Sequence, residues 1–421
     1  WNRLGDHAFS VIRTESPYYR DRSYDLTLDW TLPLPAALES PTTPVVSLPR
    51  IVARRAAAGA RKVGLWPLLA SFDVYVFLWG MSLAEHNRDL PLLRALGKKI
   101  ICVFLGSDVR HWSAAEPARR LWGMEGYSAY RDEIPLETKL RRLRMAELYA
   151  DAIFMQPSYA ELALRPYHHV YLALDTTAIT RCIPGREIPR VVHAPSRAEL
   201  KGTSEILQAL DQLRGEGVAF DLRVLQGRPN SEVLRELREA DVLVDELRES
   251  TYGMLALEAM ASGCAVAGGN QGDVVPLPAE RPVLPITPAT LVPQLRRLLT
   301  DRDLRMALAD AGGSFVDTYH APAVVAKGME SAMLSADCDY HPGFFAWRYR
   351  LPQGERISPQ LRRLSWRVVQ RSGLPRGVEA RDLVERELIS IPRRELQQQV
   401  PRWDPGPSVV DRPPAGSDRT Y

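Results

Sequence analysis

The sequence predicts an α/β protein of two Rossmann-like domains, each a doubly wound parallel sheet, facing one another across a cleft. Three observations carry that expectation. From Pro189 to Ser314, short apolar runs alternate with segments of helical period, and strands that alternate with helices form parallel sheets covered on both faces. A looser version of the same alternation runs from Phe72 to Phe154. At 421 residues, 45% of them hydrophobic, the chain is long enough to hold two domains that each bury a core.

Taken in order, the chain begins at Trp1, and Asn2 to Gly5 followed by Ala8 to Arg13 reads as a helix end, a glycine stop and a strand. By analogy with a complete βα unit, about twenty to thirty residues are expected to precede it, so the first strand of the first domain is expected to be missing. Residues 14 to 62 are rich in Pro, Tyr and Arg with little periodicity; Tyr18, Tyr19 and Trp30 either line an acceptor wall or pack on the domain surface. Leu90 to Leu96 and Leu140 to Ala150 read as helices covering a sheet, and Asp151 to Phe154 as a late strand of the first domain, which is expected to span 1–180. A linker falls between Leu174 and Pro189, where Thr, Pro and Gly gather. The second domain, 188–330, has strand-like runs at Val191-Val192, Leu222 to Leu225, Val242 to Val244, Ala265 to Ala267 and Val283 to Ile286. Between them, Ile206, Leu207, Leu210 and Leu213 share one helical stripe, and Val233, Leu234 and Leu237 another. Phe344 to Trp347 and Leu361 to Val369 suggest helices of an extension, 331–400, that returns to the first domain. The tail 401–421 holds five prolines from Pro401 onward and is expected to be disordered.

Chemistry concentrates in Asp245 to Gly263, where a loop with one glycine runs directly into a helix carrying a lone carboxylate, Glu258. A helix start offers unpaired N–H groups and about half a positive charge, so the amides after Gly253 suit a diphosphate. Glu258 stands about one and a half turns further on, within reach of a ribose diol. The plainer alternative is a core helix with Met254, Leu257 and Ala261 inward and Glu258 in solvent. In parallel sheets, ligands bind beyond the carboxyl ends of strands. Three such loops carry polar groups: His193 to Thr203, Glu249 to Gly253, and Gly268 to Asp273.

The stretch from His193 through Lys201 to Thr203, followed about fifty residues later by Tyr252 to Gly263, resembles the donor-binding domain of GT-B glycosyltransferases of the retaining family 4 type. Phe72 to Gly80 and Lys98 to Arg110, with its Gly106-Ser107-Asp108 turn, resemble the acceptor-side strands of that family. The resemblance implies a nucleotide diphosphate-sugar as donor, a small-molecule, glycan or lipid-linked acceptor, retention at the anomeric carbon, and no metal or other cofactor. It also implies roles. Lys201 matches the lysine that neutralises the donor diphosphate, while the usual arginine position holds Ser196, with Arg197 beside it. Ser250, Tyr252, Gly253, Met254 and Leu255 fall on the donor loop and helix start, and Glu258 matches the ribose-binding glutamate.

One position departs from the pattern. The first glutamate of the E-x7-E motif should stand at 250, where this chain has Ser250, with Glu249 one place early and Glu246 and Asp245 close by. Losing a charged acceptor at a sugar costs about 1.5 to 3 kcal/mol, so another carboxylate takes over, the sugar is held differently, or catalysis is lost. Among the remaining polar residues, His193 ends an apolar strand, as either a hydrogen-bonded structural residue or a donor contact. Asp108 and Arg110 follow the run Ile100 to Leu105, and either project into the cleft or serve turn chemistry. Lys201, Asp108 and Glu249 are the catalytic candidates, and His193, Ser196 and Arg197 join the donor-binding set.

Composition excludes other classes. A net charge of +3 with dispersed Lys and Arg does not suit nucleic acid, and no G-x-G-x-x-G follows a strand, which disfavours a dehydrogenase. No apolar run approaches the eighteen or so residues that span a bilayer, and no secretory signal is visible, which points to the cytoplasm. Basic pairs such as Arg54-Arg55 and Arg141-Arg142 leave peripheral contact with an anionic membrane open beside plain solvation. Cys102 and Cys264 lie in apolar runs, and no cysteine pair has metal-ligand spacing. The function expected is therefore sugar transfer from a nucleotide diphosphate donor. A sugar-nucleotide epimerase and a catalytically silent homologue acting as a binding or scaffold subunit are the alternatives.

Overall fold

A computed structural model of the chain describes residues 72–392, apart from 121–122, 125–133, 178, 183–184, 336, 343–348 and 375–377, together with two strand fragments, β1 (Val11–Ile12) and β2 (Leu26–Thr27), which pair in parallel. The expectations for Tyr18, Tyr19 and Trp30, for Phe344 to Trp347 and for the tail from Pro401 fall outside the described residues.

The first lobe is a four-stranded parallel sheet of β3 (Val74–Leu78), β4 (Lys99–Val103), β5 (Ala152–Met155) and β6 (His168–His169), in that spatial order. Ile100, Ile101, Cys102 and Val103 are all buried, as a parallel strand covered on both faces requires, while Lys99 at its start is exposed. Helices α1 (Leu90–Ala95), α2 (Trp112–Arg120) and α3 (Leu136–Tyr149) belong to this lobe, and α3 buries Leu136, Leu140 and Leu143 along one stripe. Strand β6 left no mark in the apolar pattern because its two residues are both histidine.

The second lobe is a five-stranded parallel sheet of β7 (Arg190–His193), β8 (Asp221–Val224), β9 (Val242–Val244), β10 (Ala265–Gly268) and β11 (Val283–Pro285), in the order β8-β7-β9-β10-β11. Its helices are α4 (Ala198–Lys201), α5 (Thr203–Gly215), α6 (Asn230–Leu237), α7 (Met254–Ser262), α8 (Leu291–Thr300) and α9 (Arg302–Tyr319). Successive side chains of a strand point to opposite faces, and the two cores separate accordingly. Val191, Val242, Val244, Ala265 and Ala267 pack with Ile206 and Leu210 of α5 and Leu295 of α8. Val192, Leu243 and Val266 pack on the other face with Val233 of α6, Leu257 and Met260 of α7, and Phe315 of α9. The sheet is thus wound on both sides. With the first lobe it forms the pair of parallel-sheet α/β domains that the sequence predicts.

The chain then returns to the first lobe. Helix α10 (Pro322–Leu334) contributes Val325 and Met329 to the first-lobe core, and α11 (Pro359–Ser372) lies against α3. Trp366 and Val369 of α11 join Leu148, Leu164 and Leu383 of α12 (Ala380–Glu385) in a separate apolar cluster. Among the described residues no helix is long and apolar enough to cross a membrane. Replacing Trp366, which is 5% exposed, by alanine is expected to destabilise the protein by about 3 to 5 kcal/mol in chemical denaturation. A change below about 1 kcal/mol would show that α11 is not anchored through this side chain.

Candidate functional site

In an open sheet of order β8-β7-β9-β10-β11, the connections leaving β7 and β9 run to opposite sides, which opens a crevice at the carboxyl ends of those two strands. His193 closes β7 and Val244 closes β9. The His193 Nδ1–H donates to the Val244 carbonyl at 2.8 Å, and Nε2 lies 3.0 Å from Thr203 Oγ1 at the start of α5, positioned to accept from the hydroxyl. Burial pushes the imidazole pKa down, which suits this neutral tautomer. With 0% exposure and both nitrogens engaged, His193 ties two strands and a helix together and presents no surface to a donor. Of its two readings, the structural one fits the geometry.

Directly above that tie lies the charged cluster. Helix α4 is a single turn ended by Gly202 at φ 71°, and a Cβ there would stand 2.9 Å from Leu247 Cβ, so only glycine lets the turn close against the loop after β9. The closure sets the Lys201 Nζ 2.9 Å from Asp245 Oδ1 and 3.2 Å from Glu246 Oε2. Burial alone would lower the Lys201 pKa, but the two carboxylates outweigh it and hold the ammonium well above its usual value. Glu246 reaches the other way as well, because its Oε1 lies 3.6 Å from where a Gly253 Cβ would be. Gly253 caps α7 without any side-chain cap, so the first-turn N–H groups lack the usual capping oxygen. One carboxylate therefore spans the ammonium and the helix start. Burial, with Asp245 and Glu249 adding to it against the pull of Lys201, pushes Glu246 up to about 7. Asp245 is 2% exposed and its Oδ2 has no hydrogen-bond partner.

Glu258 is 3% exposed, not solvated as the plainer core-helix alternative required, and both carboxylate oxygens accept from Asn230 Nδ2 at 3.1 Å. Asn230, the first residue of α6, was not singled out in the sequence, because a polar residue at a helix start looks like ordinary capping. Ser196 and Arg197 are exposed at the start of α4, while Met254 and Leu255 are half-buried in the first turn of α7. Ser250 is buried, and its carbonyl accepts the Gln271 N–H at 2.8 Å. A Cβ on Gly269 would fall 2.4 Å from the Glu249 carbonyl oxygen and 2.8 Å from that of Thr251, so the Glu249–Gly253 and Gly268–Asp273 loops pack back to back. The three loops marked in the sequence thus converge. Tyr252 stands apart as a core residue, 3% exposed, with its hydroxyl 3.0 Å from His320 Nε2.

The first lobe meets this edge through arginines. Glu249 pairs with Arg110, and its Oε2 accepts from Arg119 Nη2 at 2.7 Å, with Arg119 also 3.4 Å from Glu161. Glu249 is thereby a clamp between lobes, with its carboxylate committed to guanidinium groups. Arg119 was missed because a basic residue late in a helix reads as solvation, whereas here it is 3% exposed. Asp108 takes the turn role: Oδ1 accepts from the Leu105 N–H at 3.1 Å and the Gly106 N–H at 2.8 Å. Burial pushes its pKa up to about 6, although those hydrogen bonds pull it back.

No family model matches the chain. Among curated proteins, a D-inositol 3-phosphate glycosyltransferase of Nocardia farcinica (strain IFM 10152) is 25% identical over 224 residues, which cover 49% of this chain and 47% of that protein. The chain therefore spans about half the length of this curated relative. Among solved structures, the chain is similar to a sucrose-phosphate synthase from Thermosynechococcus elongatus, with 15% identity and a TM-score of 0.46 over 68% of this chain and 76% of that one. It is also similar to WaaG, a glycosyltransferase involved in lipopolysaccharide biosynthesis, with 15% identity and a TM-score of 0.38 over 60% and 84% of the two chains. These likenesses in shape are weak, and the strand order of the two sheets stands independently of them.

Two outcomes test the placements. Asp108 has a folded pKa of about 6 against an ordinary 3.8, so its contribution to stability is full below the unfolded value and is lost as pH rises through 6. Asp108→Asn should remove that decline from a denaturation series between pH 4 and pH 7, and an unchanged slope would assign it to other groups. Glu249→Ala leaves Arg110 and Arg119 without this partner, so a loss of about 3 to 5 kcal/mol and a larger radius of gyration by X-ray scattering are expected.

Proposed function

We propose that this chain is a glycosyltransferase that moves a sugar from a nucleotide diphosphate donor to an acceptor, with retention at the anomeric carbon. The observation that carries the reading is the meeting of Lys201 and the uncapped start of α7 at the crevice between β7 and β9, with Glu258 held further along the same helix. The ammonium and the amides of Met254 and Leu255 would hold the departing diphosphate, stabilising the negative charge that develops as the glycosidic bond breaks. In that role they supply the positive charge that a divalent cation supplies elsewhere, and we propose a metal-independent, cofactor-free reaction. Glu258, oriented by Asn230, would accept the ribose hydroxyls. Ser196 and Arg197, exposed at the start of α4, line the approach, and the buried Ser250 shapes the loop beneath. The sequence likeness to a curated glycosyltransferase supports this reading. The acceptor is proposed to be a small molecule, glycan or lipid-linked sugar, met at the first lobe and in the cytoplasm.

Incubating the purified full chain with UDP-, GDP- and ADP-sugars and measuring the nucleotide released is the direct test. Lys201→Gln is expected to lower turnover by about 10²- to 10³-fold. Glu258→Gln is expected to weaken nucleotide binding by about 10- to 100-fold, since a hydrogen bond to a charged group is worth roughly 1.5 to 3 kcal/mol. Nucleotide binding by calorimetry with no release from any donor would favour the silent binding subunit instead.

A further inference from the structure

The crevice is not an open cation waiting for a phosphate. Lys201 faces two carboxylates, and of these Glu246 has one oxygen 3.2 Å from Nζ and the other 3.6 Å from where a Gly253 Cβ would stand, beside the start of α7. Glu249 is held by Arg110 and Arg119, and Asp245 is sunk at the strand end with 2% exposure. A carboxylate resembles a phosphate oxygen pair in charge and in the donors it attracts. We propose that Glu246 is an internal occupant of the diphosphate position, so that a nucleoside diphosphate enters only as Glu246 takes up a proton and releases Lys201. This inference rests on the donor-site reading above.

The electrostatics run in the required direction. The charged groups around Glu246 are Lys201 on α4, Asp245 and Glu249 on its own loop, and Arg110 and Arg119 of the first lobe, which neutralise Glu249; His193 at the end of β7 is a neutral imidazole, and the first turn of α7 carries no ionisable residue. An entering diphosphate meets Asp245 beside Lys201 in any case, and the unpartnered Asp245 Oδ2 already lies in a site with more acceptors than donors. Adding more negative charge there raises the proton affinity of Glu246, the partly exposed carboxylate next to Lys201, because like charges close together cannot both remain ionised cheaply. Glu246 already titrates at about 7, so the proton costs little near neutrality and progressively more above it.

Calorimetric titration of the full chain with UDP, GDP and ADP, at pH 8 in two buffers of different ionisation enthalpy, counts the protons bound with the ligand. The wild-type protein should take up about one proton per nucleotide, and its affinity should fall about tenfold or more between pH 7 and pH 9, a tenfold change corresponding to one pKa unit. Glu246→Gln should bind about tenfold tighter at pH 8, with no proton uptake and a flat pH profile. The wild-type proton count needs no variant, so a poorly folded substitution would leave the test intact. Equal affinity and equal proton uptake in the two proteins, or weaker binding by Glu246→Gln, overturns the inference and leaves the donor site standing. Failure of all three nucleotides to bind either protein overturns the donor-site reading and this inference together.

Discussion

Every strand of a parallel sheet ends at the same edge, and that constraint governs the rest of this molecule. In the second lobe the five strands deliver their loops to one rim, and the reversal of strand order between β7 and β9 leaves a gap in that rim. The His193 contact with the Val244 carbonyl fixes the two strand ends that border the gap. Lys201 arrives from one border, and Asp245 and Glu246 from the other. The α7 start lies within the span of a single glutamate side chain. The convergence needs no long-range design beyond strand order, a one-turn helix and a left-handed glycine.

The electrostatic arrangement at this rim is tightly balanced. Burying an ion is costly unless it is paired and hydrogen-bonded, and the cluster meets that demand in two ways. Glu249 is shared by guanidinium groups of the opposite lobe, so the first lobe lends charge to the second. Lys201 faces two carboxylates, and burial of Glu246, with Asp245 and Glu249 adding to it against the pull of Lys201, raises Glu246 towards neutrality. The same balance explains why a residue that looks like a catalytic candidate in isolation, Glu249, is occupied in holding the lobes together. Glu246, named in the sequence only as a nearby carboxylate able to replace the missing glutamate, is the one beside both Lys201 and Gly253.

Much of the fold was legible beforehand because both lobes follow simple periodicities. Val191 to His193, Val242 to Val244 and Ala265 to Gly268 are continuous apolar runs because both faces of each strand are covered, and the helical stripes of α5 and α6 are regular. The site was legible at the level of loops: Lys201, Gly253 and Glu258 were marked, and the structure gathers Lys201 and Gly253 round Glu246 while burying Glu258 along the same helix. Partners were not legible. Asn230 beneath Glu258, Arg119 on Glu249 and His320 on Tyr252 lie 28, 130 and 68 residues away in sequence from the groups they meet. Strand β6 and the docking of α11 on α3 were likewise hidden or undetailed, since two histidines carry no apolar signal and a helix stripe does not say what it will cover.

The sequence by itself therefore determined the alternation of strands and helices, the position of the uncapped helix start and the lysine and glutamate that accompany it. These are local properties, set by side-chain period and by which backbone N–H groups a turn leaves unpaired. Only the tertiary structure decided what each ionisable group does. A charge takes its role from the charges and the burial around it, and those come from loops remote in the chain that meet only when both sheets close. So His193 became a tie between strands, Asp108 a turn closure, Glu249 a clamp, and Glu246 the occupant of the crevice.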